Sequence, residues 1–375
     1  MNFKSAHVQS RSSDGRKIVV IVLGLILIGR ILIHLLLYRA GFNALTADDF
    51  GRIIIAAYWT RSPEPMLGGY WLPFHTYLFG TLFWMIWDLL WTPRIVAILF
   101  GLVSIVIMFL LTKEVTHNLH LGLIAAILLA INPAHIWLSS TPLPAVIHFT
   151  LVLAALYCLI RYLTDGIRSC LYAGGMLFFF ANGVRFEAWI MALVFSLTLA
   201  ISLGYHYKSH TISRTQMVDL TIGFILPWVL PFIWIVHSYI STGEPLASIA
   251  AIRTYKMRWY GSNRSYLSYL TTFLKIDPFT TILIPLGLFT FLKEGRKRTV
   301  RSLYVAVTIL SFGVFIGLHG GQMEPPGNSI RYLSPFLFLS YPIAVYFFEY
   351  LRKRTSISNN TWIIAAILVL SLIHI

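Results

Sequence analysis

Ile18-Val-Val-Ile-Val-Leu-Gly-Leu-Ile-Leu-Ile-Gly-Arg30-Ile-Leu-Ile-His34-Leu-Leu-Leu-Tyr38 contains two ionisable groups before its closing tyrosine, Arg30 and His34. A bilayer core is about 30 Å thick and takes about 20 apolar residues of helix to cross. The stretch 18–38 therefore reads as a membrane span. Lys4, Arg11, Arg16 and Lys17 precede it and put the N-terminus on the cytoplasmic side. No small-residue cleavage site follows Tyr38, so the segment reads as an uncleaved anchor. Just beyond the span comes Asp48-Asp49-Phe-Gly-Arg52.

The rest of the chain repeats the apolar pattern. Of 375 residues, 57% are hydrophobic and only 11% charged, whereas soluble domains carry about 25% charged residues. Further apolar runs lie near 95–111, 121–138, 145–162, 170–183, 187–204, 217–238, 279–292, 302–318, 332–350 and 361–375. They predict an all-α polytopic transmembrane helical bundle of about eleven spans. Residues 1–17 form a cytoplasmic tail, and 18–375 a membrane domain with long outer loops at 39–94 and 239–278. This composition excludes a soluble Rossmann enzyme. The net charge of +15 would suit nucleic acid, but the charges sit in short clusters between apolar runs, which excludes that class too. Cys158 and Cys170 lie within or beside such runs, leaving no disulfide framework and no Cys-rich metal site. The final run ends in Leu372-Ile373-His374-Ile375 without a polar stop, as expected of a truncated chain or of one that ends at the far interface.

The stretch from Tyr70 to Trp87 decides the parity of the spans. It is apolar but contains Pro73, His75, Thr76 and Gly80, with Trp71, Tyr77, Trp84 and Trp87. The basic segments Lys293-Glu-Gly-Arg296-Lys297-Arg298 and Arg352-Lys353-Arg354 are cytoplasmic markers. Counting back from them agrees with a cytoplasmic N-terminus only if 70–87 does not cross. It therefore reads as an aromatic-rich juxtamembrane helix on the outer interface. Seventeen Lys/Arg then fall inside and eleven outside, for a net of +11 against +3.

Loops as long as the two outer ones are more often functional than connective. In the first, adjacent carboxylates repel and one should hold its proton more tightly; such a group could deprotonate or orient a hydroxyl nucleophile. Asp48 could equally serve a helix N-terminus and pair with Arg52 four residues on. The second loop carries Arg253, Lys256, Arg258 and Arg264 among Tyr255, Trp259 and Tyr260. Cations on the outer face suit a phosphate or pyrophosphate at headgroup depth, or anchor an interfacial helix. Arg185-Phe-Glu187 occupies a short outer turn, and charged groups at that depth are usually paired and face a polar cavity. Arg331, followed by Tyr332 at the mouth of a later span, could meet a lipid phosphate or mark the interface. Arg30 reads as structural, bonded to a neighbouring helix, and His135 and His148 as interfacial residues flanking a turn. Asn263-Arg-Ser265 is a glycosylation sequon on the outer side. No P-loop, GxGxxG or HExxH is present.

In their order these motifs resemble the GT-C superfamily of polyprenyl-phosphate-sugar-dependent glycosyltransferases, particularly protein O-mannosyltransferases and aminoarabinose transferases. Asp48-Asp49 matches the acidic pair opening the first outer loop, and Tyr70-Trp71-Leu72-Pro73-Phe74-His75-Thr76-Tyr77-Leu78 the Pro-rich juxtamembrane helix. Thr92-Pro93-Arg94-Ile95 matches the Arg that begins the second span, and Gly122 through Ala134 the helix with a late Asn-Pro. Arg185-Phe-Glu187 and Arg331-Tyr332-Leu-Ser-Pro335 match the Arg-x-Glu hairpin and a late Arg-Tyr-x-x-Pro. The similarity runs from about residue 18 to 351. It departs from the pattern at Ser139-Ser-Thr-Pro142-Leu-Pro144, where a carboxylate is common, at Trp71 and His75, where a lysine often precedes the proline, and at Asp49, often Glu.

The resemblance implies inverting transfer of a hexosyl or pentosyl group from a polyprenyl-phosphate donor, on the extracytoplasmic side of the cytoplasmic membrane. The acceptor would be a protein, lipid or glycan. Asp48 would be the general base, and Asp49 would orient the acceptor or tune Asp48. His75, Arg185, Glu187, Arg253, Lys256, Arg258, Arg331 and Tyr332 would bind lipid phosphate and sugar. No cofactor is required; a divalent metal is compatible with the acids but not indicated. A flippase for a lipid-linked saccharide and an O-antigen-type polymerase or ligase are the alternatives, and a non-catalytic membrane scaffold would leave the outer charges unexplained.

Overall fold

A computed structural model describes residues 13–42, 46–66, 71–208, 213–260, 265–293, 298–319 and 326–354, and every regular element among them is helical. In chain order the first six helices are α1 Ser13–Arg39, α2 Ala47–Arg61, α3 Phe74–Met85, α4 Trp91–Thr116, α5 Leu119–Ile131 and α6 Pro133–Ser140. Then come α7 Pro144–Asp165, α8 Arg168–Asn182, α9 Glu187–Lys208, α10 Arg214–Ile225, α11 Val229–Thr242 and α12 Ala247–Tyr260. The last five are α13 Leu267–Ile276, α14 Pro278–Lys293, α15 Arg298–His319, α16 Pro326–Leu339 and α17 Tyr341–Arg354.

Five of the described helices are long and apolar enough to cross a membrane: α1, α4, α7, α15 and the α10–α11 pair, which runs through a 3-10 turn at Leu226–Trp228. Three further pairs pass the same test only together and are bent: α5–α6 by 62°, α13–α14 by 113° and α16–α17 by 41°. That makes up to eight spans, against about eleven expected. The runs at 170–183 and 187–204 account for part of the difference. The first becomes the 15-residue α8, about 22 Å long at 1.5 Å per residue, and the second lies in α9, where Glu187–Ile201 is the apolar stretch. The run at 361–375 lies outside the described residues, as do the tail before Ser13 and the sequon at Asn263. The 12-residue α3 is about 18 Å long, too short to span, and packs on α2 with Gly80 against the Trp59 ring.

Local chemistry sets the ends of these helices. Asn118 caps α5 by accepting from the His120 N–H at 2.9 Å, and Asn132 caps α6 from the His135 N–H at 3.1 Å, with Pro133 in the first turn. Gly166 closes α7 at φ +69°, a conformation that glycine reaches without penalty.

A helix broken inside a bilayer frees backbone groups that water cannot reach. Here the three breaks share one buried polar node. Asn132, between α5 and α6, donates at 3.2 Å both to the Ile276 carbonyl at the end of α13 and to the Tyr341 hydroxyl at the start of α17. Tyr341 in turn donates to Asp277 at 2.7 Å, and Asp277 caps α14 through the Thr280 N–H and hydroxyl at 2.9 and 2.7 Å. Asn132, Asp277 and Tyr341 are fully enclosed, and their mutual bonds make that burial tolerable. Arg30 serves the same break from α1. It donates at 2.7 Å to the Ala130 carbonyl near the end of α5 and at 2.6 Å to Ser139 of α6. The structural role expected for Arg30 is thus the one it has.

Beyond the node, α14 and α17 touch backbone to backbone, because a Cβ on Gly287 would collide with the Ile343 carbonyl. Gly287→Ala should push these helices apart and cost about 1–3 kcal/mol. Gly313→Ala, which meets open space, should change stability by less than about 0.5 kcal/mol. Thermal unfolding in lipid nanodiscs measures both; equal melting temperatures would contradict the packing.

Candidate active site

The acidic pair opens α2, and its two members do different things. Asp49 is buried, and its Oδ2 accepts from the Thr46 N–H at 3.1 Å, holding the first turn of the helix. Its other oxygen has no partner. Burial pushes this carboxyl up to about 6 against an ordinary 3.8. Asp48 keeps 35% of its side chain exposed and meets Arg331 of α16 at 2.5 Å. The Asp48–Arg52 pair anticipated from their spacing is not the contact made. Arg52 instead lies over the Trp71 ring at 4.5 Å, and Trp71 packs against bare backbone at Gly51.

Arg331 places its neighbour Tyr332 at the centre of a cationic cluster. Arg185, Lys256 and Arg331 stand 4.6, 4.8 and 5.2 Å from the Tyr332 ring centroid, within cation–π reach. They come from the α8–α9 turn, from α12 and from α16. Arg185 also forks onto Glu187, Nε to Oε2 at 3.0 Å and Nη2 to Oε1 at 2.8 Å. That bidentate geometry fixes the guanidinium plane. Asp48, Arg185, Glu187, Lys256, Arg331 and Tyr332, from four separate stretches of chain, thus meet in one place.

Three expected residues lie elsewhere. His75 is enclosed, and its Nε2–H donates to the Pro142 carbonyl at 2.8 Å. Burial, helped by the nearby Arg52 charge, drops its pKa to about 3. It is therefore neutral and fastens α3 to the turn before α7, rather than offering a charge to phosphate. Arg253 and Arg258 are exposed on α12 and do not join the Tyr332 cluster; Arg258 is two residues from Lys256, roughly the opposite side of a helix. Among the described residues no three His, Cys, Asp or Glu are grouped to hold a metal ion.

No family model and no curated protein matches this chain. Solved structures do. The oligosaccharyltransferase AglB from Archaeoglobus fulgidus, in complex with an inhibitory peptide and a dolichol-phosphate, superposes over 97% of this chain and 55% of its own, with a TM-score of 0.58 at 13% identity. ArnT from Cupriavidus metallidurans, bound to undecaprenyl phosphate, superposes over 84% of this chain and 59% of its own, with a TM-score of 0.60 at 13% identity. The chain shares the fold of these two structures. It spans a little more than half the length of these structures.

Within this bundle, Arg52 is the cation whose place the sequence did not reveal. Its Nε is buried without a partner, and burial together with the Arg185 charge lowers its pKa to about 10. It stays protonated and adds a further positive charge beside Asp48. Spacing pointed only to Asp48 as its partner; its seat over Trp71 depends on the approach of the segment before α3.

The raised Asp49 pKa has a signed consequence. The folded protein keeps a proton that the unfolded chain releases between about pH 4 and 6, so the stability this residue supports is full below pH 4 and lost as pH rises through 6. Asp49→Asn, which cannot ionise, should therefore be more stable than wild type at pH 7.5, by up to about 3 kcal/mol. The difference should vanish near pH 4. Denaturant unfolding at the two pH values measures it, and a difference that does not depend on pH would contradict the assignment.

Proposed function

We propose that this chain is a membrane glycosyltransferase that moves a monosaccharide from a polyprenyl-phosphate donor to an acceptor hydroxyl, with inversion, on the extracytoplasmic side of the cytoplasmic membrane. The observation that carries the reading is the meeting of a half-exposed carboxylate, Asp48, with Arg331, Lys256 and Arg185 around Tyr332. A base and an anion-binding cluster at one point are what transfer from a phosphate leaving group needs. The GT-C fold, found in structures that hold dolichol-phosphate and undecaprenyl phosphate, supports the choice of donor.

The chemistry runs as a single displacement. Asp48 takes the proton of the acceptor hydroxyl as its oxygen attacks the anomeric carbon. The bond from that carbon to the phosphate oxygen breaks, and the electron pair leaves with the lipid phosphate. Arg331, Lys256 and Arg52 stabilise the charge that develops there. In the resting protein Arg331 lies on Asp48 and holds the base in check. A bound phosphate competes for Arg331, which frees Asp48 at the moment the donor arrives. Asp49 keeps the first turn of α2 rigid, and the Arg185–Glu187 fork orients Arg185 against Tyr332. Arg253 and Arg258 face outward to lipid headgroups. The charged and polar groups buried inside the spans argue against a transport path, since Arg30 and Asp277 are engaged at helix breaks.

Asp48→Asn should reduce transfer by about 100-fold or more without changing expression or thermal unfolding. The assay incubates purified protein with radiolabelled polyprenyl-phosphate sugars and measures release of free lipid phosphate. Near-normal turnover by the variant would remove Asp48 from its role.

A further inference from the structure

His148, in the second turn of α7, is 1% exposed and neither of its ring nitrogens has a hydrogen-bond partner. It lies among enclosed apolar residues, including Val146, Ile147 and Phe149, and within electrostatic reach of both Arg185 and Glu187. A buried polar group left unsatisfied is costly, and such exceptions in native proteins call for a partner that the folded chain itself does not supply. We infer that His148, with Glu187, forms the sugar-recognising end of the donor site and binds hydroxyls of the transferred ring. This inference rests on reading the Tyr332 cluster as a lipid-phosphate site.

The choice of ligand follows from donor and acceptor chemistry. A neutral imidazole offers one N–H donor and one bare acceptor nitrogen. A phosphate presents acceptor oxygens, which would leave the acceptor nitrogen facing another acceptor. A hydroxyl both donates and accepts, so a polyhydroxylated ring can satisfy both nitrogens, and Glu187 beside them accepts from a further hydroxyl. Charge divides the site in the same sense. Arg185 is matched by Glu187, so the His148 end is close to neutral, while Arg331 meets Asp48 directly and Arg52 lies within its electrostatic reach. A donor would lie with its phosphate toward those cations and its sugar toward His148, which puts the bond to be broken beside Asp48.

The test measures binding to the full chain in lipid nanodiscs. The probes are bare undecaprenyl phosphate and the same lipid carrying mannose, glucose or arabinose. Wild type should bind at least one sugar-bearing lipid roughly tenfold more tightly than the bare one. His148→Leu should lose that increment, leave affinity for the bare lipid unchanged and melt no lower than wild type, because it removes an unsatisfied group. His148→Gln, which keeps a donor and an acceptor, should retain part of the increment. A full increment in His148→Leu would overturn the inference, as would a wild type that binds every sugar-bearing lipid no better than the bare one. Failure of wild type to bind bare undecaprenyl phosphate would instead overturn the phosphate reading beneath it, and this inference with it.

Discussion

A carboxylate and a guanidinium 283 residues apart in sequence, Asp48 and Arg331, meet at 2.5 Å, and the rest of the site is arranged around that contact. It fastens the first turn of α2, which follows the first span, to α16, which belongs to a late one. Tyr332, next to Arg331, then receives Arg185 and Lys256 from two further elements. A part-buried ion pair gives up hydration at both charges for the attraction it gains and is weak evidence for stability, so its value lies elsewhere. Under the proposed function it holds a base and an anion-binding group in register, each kept from acting by the other. In that proposal a second anion displaces one partner, and the exchange turns a resting pair into a reactive one.

Three helix pairs of the bundle, the one carrying Arg331 and Tyr332 among them, are bent, and a buried polar node joins their breaks. Breaking three helices inside an apolar medium would be prohibitive without internal partners for the freed backbone. Asn132, Asp277 and Tyr341 meet that demand together, joining the breaks of α5–α6, α13–α14 and α16–α17. The breaks matter because they redirect the chain toward the site. Past the first, the α6–α7 turn presents the Pro142 carbonyl to His75; before the second, α13 turns sharply off α14; before the third, α16 carries Arg331 and Tyr332. The node and the cationic cluster are therefore two ends of one construction.

Much of this was legible in the residues, and what was not has physical causes. The apolar runs disclosed a helical membrane bundle, because bilayer thickness sets the length of such runs. The short stretch at α3 was placed correctly as non-spanning by charge parity. Asp48, Arg185, Glu187 and Arg331 stood out because charge at the mouth of a span is costly and needs a reason. Averaged hydropathy cannot register a bend, so the angles at Asn132, Asp277 and Ser340 were invisible, as was the brevity of α8. Arg253 and Arg258 were grouped with Lys256 because they share a basic stretch; exposure separates both from it, and helical geometry also separates Arg258. His75 looked like a phosphate ligand in place of a lysine, yet it is enclosed and neutral. His148 seemed a simple interfacial residue, since only three-dimensional packing reveals that its ring nitrogens are bare.

The measurement that bears most directly on the central claim is a cryo-electron microscopy structure of the full chain in nanodiscs with undecaprenyl phosphate added. The account predicts phosphate density within hydrogen-bonding distance of Arg331 and beside Lys256, with Arg331 swung off Asp48 and the carboxylate left open. A lipid phosphate bound elsewhere, or an Asp48–Arg331 contact unchanged with phosphate in place, would contradict it.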